Sequence, residues 1–315
     1  MATVPAWLRR AVPDAQSLAG QDVEDVALAA GAAVFALDAV VRRQERWAGA
    51  WRRRLALTGA AVTARQMGRV EDENALRDAV LLTRPGDDVG PAGRMLVAWR
   101  KLAATPAENL LTEASIGAVL ADLGFARDEG SVRDLTHEFR EPGASEGTVG
   151  RLTGAIASAE RHGLGRALGA WLADALLAQR LGWGHAVPLL GAEAALGTSS
   201  RPRRSATSSV ATGTETNPER AKNLLAAQAR AALRAIDLSA ELERRADRLL
   251  AVAPKLRAKA ADAVVDRLLS DDAIVASERI AGMSDRGLRR LFDRLVELGA
   301  VRELSGRPTF RIYGL

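Results

Sequence analysis

The sequence predicts a mostly α-helical protein that ends in a winged helix-turn-helix, and three observations carry that expectation. Of its 315 residues 48% are hydrophobic but only 4% aromatic. Alanine and arginine are abundant and β-branched residues sparse, a composition that favours helices over sheets. Apolar residues recur at three- and four-residue steps along most of the chain, the stripe of amphipathic helices. Strand-like alternation is confined to residues 301–313, next to a strongly patterned helix.

Taken in order, Asp22 to Val41 reads as an alanine-rich helix, with Gly31 marking a close helix–helix approach. In WAGAWRRRLAL, Trp47 and Trp51 share a helix face as core anchors, while Arg52, Arg53 and Arg54 fan around the helix as surface or pairing residues. Glu71, Asp72 and Glu73 make an acidic helix start, and Glu73 and Arg77 stand at the spacing of an i,i+4 pair. A turn-rich loop around Asp87 and Asp88 launches a helix over 94–102, and another runs over 114–123 to Gly124. Residues 130–147 are polar and loosely patterned, after which helix periodicity returns from Gly150 to Leu181. Residues 182–188 break it.

The tract 197–217 is rich in serine and threonine and carries Arg201, Arg203 and Arg204, too polar to bury a core of its own. Asn217 then caps a long helix that runs to about Val252, before Pro254. These features divide the chain into a helical body over 15–195, a flexible linker over 196–218, a connector helix over 219–253 and a winged helix-turn-helix over 254–315.

The last unit reads as a helix from Ala258 to Leu269, a short helix from Ser277 to Ala281, and a longer one capped by Ser284 and stopped by Gly299. Leu288, Leu291, Phe292, Leu295 and Leu298 form its apolar stripe. Two strands follow, over 301–304 and 309–313, with Phe310 and Ile312 on one face of the second and Arg311 on the other. Opposite the stripe, Arg286 and Arg290 lie where a recognition helix meets base edges, and Arg289 and Arg294 flank them toward phosphates. Arg307 and Arg311 place charge on the turn and hairpin. Against this, Asp293 and Glu297 share the arginine face, and residues 254–315 hold twelve basic against nine acidic side chains, so the same arginines also fit a solvated face or a protein-docking surface.

Net charge is only +5 and cysteine is absent, so no disulfide frame or thiolate metal site is available and a cytoplasmic location fits. No stretch has the length and apolarity of a membrane span, and the first residues lack the core of a signal peptide. Neither a phosphate-binding glycine loop, a dinucleotide fingerprint, an HExxH motif nor a nucleophile elbow occurs. No cofactor, metal site or catalytic residue is implied, although Asp87, Asp88 and Asp174 are the carboxylates an enzyme would draw on.

The strings WAGAWRRRLAL, EDENALRDAVLLTRPGDDVGPAGR, WLADALLAQRLGW with VPLL, APKLRAKAADAVVDRLL and LFDRLVELGAVRELSGRPTFRIYGL resemble the uncharacterised bacterial domain-of-unknown-function family 1403. The likeness covers nearly the whole chain and implies no activity, cofactor or site residue. The expectation is therefore a DNA-associated protein, a regulator or accessory factor that contacts duplex DNA through its C-terminal unit. The alternatives are a winged helix used to dock a protein partner or a second copy, and an enzyme housed in the helical body.

Overall fold

The structure, a computed structural model, describes residues 4–125, 129–140, 147–193, 218–256, 258 and 260–315. The linker expected over 196–218, with its three arginines, and Asn217 lie outside these residues except for Pro218.

Twelve helices occur among the described residues. They are α1 (Ala6–Ala11), α2 (Val23–Arg42), α3 (Ala48–Gln66), α4 (Glu73–Leu81), α5 (Gly90–Ala104), α6 (Glu113–Asp122), α7 (Glu129–Arg140), α8 (Thr148–Arg161), α9 (Gly165–Leu181), α10 (Pro218–Val252), α11 (Ala261–Ser270) and α12 (Asp285–Glu297). Three short strands, β1 (Ile274–Val275), β2 (Arg302–Glu303) and β3 (Ile312–Gly314), form one antiparallel sheet in the order β1-β3-β2. Before residue 195 the described residues hold no sheet, only an isolated bridge between Pro106 and His185.

The bundle is built in helix pairs: α10 lies along α2, α8 along α9, and α3 along α5. The helix expected to act as a connector is thus packed on the body, and Leu224, Ala232, Ile236 and Leu242 are buried in it. Its Arg230 and Arg234 both hold the buried Glu193, Arg230 Nη2 at 2.8 Å. At the centre, α3 buries residues on every side, including Trp51, Leu55, Leu57 and Ala60. Trp51 Nε1 donates to the Ala235 carbonyl at 2.9 Å, which satisfies the indole while its ring fills the core. Trp47 is buried beside it, as the sequence leads one to expect.

Several boundaries differ from the expectation, each for a local reason. The stretch from 150 to 181 is two helices, because Gly163 and Gly165 both take positive φ and turn the chain between α8 and α9. The loosely patterned residues 130–147 contain α7, whose Val132, Leu135 and Phe139 are buried at a spacing that the surrounding polar residues hide. Gly31 is exposed and nothing lies within 4 Å of a Cβ added there, so it marks no close approach. The expected Glu73–Arg77 pair does not form: Glu73 accepts from the Thr58 hydroxyl at 2.8 Å, and Arg77 turns to Asp272.

In the C-terminal unit, residues 277–281 form turns and no helix. The Ala276 N–H donates to the Arg311 carbonyl at 2.8 Å and the Glu278 N–H to Val275, so strand pairing and a turn, not i→i−4 bonds, set the backbone here, and a single helical turn is too short to compete. The hairpin is shorter than expected. Glu303 accepts from the backbone N–H groups of Ser305 and Gly306 and from the Ser305 hydroxyl, which tightens the turn. Phe310 stands outside the strand at φ 52° and is exposed, while Ile312 and Tyr313 are both buried. Of the apolar stripe, Leu288, Leu291, Phe292 and Leu295 are buried, but Leu298, past the end of α12, is exposed.

Candidate nucleic-acid interface

The α12 helix is positioned from both ends and from below. Ser284 caps it by accepting the Gly287 N–H at 3.2 Å, and Gly299 ends it at φ 64°. Phe292 stacks on Tyr313 of β3, ring centroids 4.3 Å apart and planes 4° from parallel. This packing turns the opposite face, with residues 286, 289, 290, 293, 294 and 297, to the outside; all six are exposed.

The six arginines singled out by sequence divide in two. Arg286, Arg289 and Arg290, in the first half of α12, have no hydrogen-bond or ion-pair partner among the described residues. Arg294 pairs with Glu297 at 2.5 Å. Arg311 lies beside the Tyr313 hydroxyl, which with Asp293 at 3.6 Å holds its guanidinium above the ordinary value. Arg307 bonds Asp78 of α4 at 2.7 Å, so it ties the hairpin to the body. Asp293 and Glu297, which share the arginine face, are therefore paired with Arg311 and Arg294 at the second half of the helix. Arg279, in the segment that leads to α12, is a further exposed arginine without a partner among the described residues, which sequence pattern gave no means to separate from its paired neighbours.

What holds this unit to the body is a set of charges that sequence reasoning did not find. Asp272, 1% exposed, accepts from Arg100 Nη2 at 2.7 Å and from Arg77 Nε at 3.4 Å, and its carbonyl accepts from Arg54 Nη2 at 3.3 Å. Asp271, also buried, pairs with Arg53 and with Arg267, the latter at 2.7 Å. Arg54 donates as well to the Leu315 backbone oxygen at 3.2 Å, joined there by Arg245 at 2.9 Å. Helices α3, α4 and α5 thus send arginines to the end of α11. The signal was an acidic pair directly before the apolar run Ala273–Val275, where solvent-facing carboxylates have no room.

Two of the three carboxylates of the enzyme reading, Asp88 and Asp174, make structural hydrogen bonds. Asp88 accepts from Arg94 Nη2 at 2.6 Å and from the Gly90 N–H at 3.0 Å, and Asp87 is exposed. Asp174 is buried in α9 and accepts the Leu189 and Leu190 N–H groups at 2.8 and 3.0 Å, fastening the chain after the 182–188 break. Among the described residues no group of three or more His, Asp or Glu side chains could hold a metal ion. None of their helices is long and apolar enough to cross a membrane.

Burial drives the Asp174 carboxyl well above the usual range, and the two amide donors offset this only in part. A raised folded pKa means that the folded state holds the proton more tightly. The contribution to stability is therefore full below the ordinary carboxylate pKa of about 4 and is lost as pH rises through the raised value. Asp174→Asn keeps an acceptor for the two amides without the charge. We expect its stability to lie within about 1 kcal/mol of wild type in acid and to gain on wild type steadily toward neutral pH. Urea midpoints across that range check this, and a variant–wild-type difference that does not grow with pH would contradict it.

A family model described as Protein of unknown function (DUF1403) matches residues 1–315. No curated protein and no solved structure matches the chain.

Proposed function

The chain belongs to the DUF1403 family of proteins of unknown function, and since that membership brings no activity, we propose from its own geometry that it contacts duplex DNA through α12. The observation that carries this reading is the trio Arg286, Arg289 and Arg290, exposed and without partners among the described residues in the first half of α12, where Asp285 is the one acidic side chain, while Asp293, Arg294 and Glu297 in the second half are paired. An arginine without an internal partner keeps its full charge and its planar fork for phosphate oxygens or a guanine edge. The sheet order β1-β3-β2, with α12 entering between β1 and β2, supports a winged helix whose middle helix is reduced to the 276–283 turns. In this reading the N-terminal half of α12 enters the major groove, Arg286 and Arg290 face base edges and Arg289 faces phosphate.

Arg307 is left out of the contact set, because moving it to DNA would break its bond to Asp78. Replacing Arg286 or Arg290 with alanine should cost about 1–3 kcal/mol on a preferred site and much less on random duplex. Arg294→Ala should change little. Competition titrations with a selected and a random duplex test this, and equal losses for Arg290→Ala and Arg294→Ala would remove the assignment. A second reading, docking of a protein partner or a second copy, draws on Phe310, which is 69% exposed at the hairpin. It predicts that Phe310→Ser abolishes association while duplex affinity is absent from the start.

A further inference from the structure

Beside the joint between the body and the C-terminal unit lies an open groove of about 530 Å³ that plays no part in the α12 surface. Its walls are the turn between α2 and α3, the end of α5, residues 184 and 185, and Ser270 at the end of α11. The floor is a close approach of α3 to α11: a Cβ on Gly49 would come 2.6 Å from the Ser270 carbonyl oxygen, so only glycine lets the two helices meet there. The volume is in the range of small-molecule sites.

Three charged residues line this groove, and they differ in how far the protein satisfies them. Arg53 is neutralised by Asp271. Arg52 is half-buried, spends Nε on the Ala103 carbonyl at 3.0 Å and has no carboxylate partner among the described residues. Glu45, also half-buried, has no partner for its carboxylate among them. Beside Arg52 stands His185, whose imidazole is pushed down by burial and then by the Arg52 charge, with Glu108 opposing. The outer nitrogens of this guanidinium have no partner among the described residues and lie in the open groove, where both are available to an anion. A neutral imidazole next to it adds a hydrogen-bond donor or acceptor without repelling that anion.

We propose that this groove binds a small organic oxyanion, a carboxylate or a phosphate ester, with Arg52 gripping the anionic group, His185 hydrogen-bonding to it, and Glu45 receiving a hydroxyl or amine elsewhere on the ligand. Glu45 makes the site select against anions that bring no donor, which gives the two charged residues opposite effects on a bare anion. The site does not depend on the DNA reading.

The test is titration of the full chain with sodium sulfate, a tetrahedral oxyanion that stands in for a phosphate ester and brings no donor, and, separately, sodium succinate at neutral pH, followed through the arginine Nε–Hε resonances and by calorimetry. Wild type should bind one equivalent of at least one of the two saturably, with the Arg52 resonance moving, and the anion that binds more tightly identifies the headgroup. Arg52→Gln should weaken this binding about 10- to 100-fold, the loss of a charge-assisted contact. Glu45→Gln should strengthen it, and Arg46→Gln, whose arginine pairs with Asp266 outside the groove, should leave it unchanged. Should Arg52→Gln not fold, the wild-type resonances and the Glu45→Gln affinity still decide. The proposal is overturned if neither anion shifts Arg52 saturably at up to about 50 mM, a range that covers millimolar affinity, or if Glu45→Gln weakens binding.

Discussion

Replacing Asp272 with alanine is expected to destabilise the folded chain by about 3–5 kcal/mol, the cost of breaking a buried ionic cluster from one side. The carboxylate is 1% exposed and is the only acidic partner of Arg77 and Arg100 among the described residues, at 3.4 and 2.7 Å. Arg77 is itself buried, so its charge has no water to turn to once the acid is gone. The loss should be smaller for Asp272→Asn, which keeps one acceptor. A triple replacement, Asp272→Leu with Arg77→Met and Arg100→Met, should recover much of it, because apolar side chains of similar size replace buried charge without desolvation cost. Chemical denaturation measures all three. A loss below about 1 kcal/mol for Asp272→Ala, in the range of surface ion pairs, would mean that the cluster does not hold the C-terminal unit to the body.

Phe292→Ala should cost about 3–5 kcal/mol for the same unit, by a different route. The ring is fully buried and stacked on Tyr313, so its removal leaves a cavity between α12 and the sheet and strips Tyr313 of its partner. Arg290→Ala, on the opposite face of the same helix, should stay within about 0.5 kcal/mol. The pair calibrates every binding measurement on this helix: a replaced arginine that lowers duplex affinity with stability intact acts on contact, whereas Phe292→Ala lowers affinity only through folding. Equal stability losses for the two would mean that α12 does not present the face described.

The features legible in the sequence are those fixed by local chemistry. The phase of α12, its Ser284 cap and its Gly299 stop follow from spacing and from conformational preference, and the structure has all three. So do the acidic start of α4, where Asp72 accepts the Ala75 N–H at 2.8 Å, and the buried Trp47 and Trp51. What could not be read depends on residues far apart in the chain. Arg77 is four positions from Glu73, yet a buried acid 195 residues away takes it, because the interior strengthens the distant pair and solvent weakens the near one. The same holds for Arg307, whose partner Asp78 lies 229 residues upstream. Short elements were the other blind spot. The two residues of β1 exist only because β3 pairs with them, and a helix over 277–281 would be a single turn that cannot outweigh that pairing.

The DNA reading turns on the salt dependence of duplex binding, measured side by side for wild type and the Arg286→Ala/Arg289→Ala/Arg290→Ala variant. Each arginine that displaces a counterion contributes about −0.9 to the slope of log K against log salt concentration. We predict that wild type binds duplex with a clearly negative slope, and that the variant, with an unchanged circular dichroism spectrum and unfolding midpoint, binds more weakly with a slope shallower by at least about one. A folded variant with the affinity and slope of wild type, or a wild-type protein with no salt-dependent affinity for duplex, would contradict it.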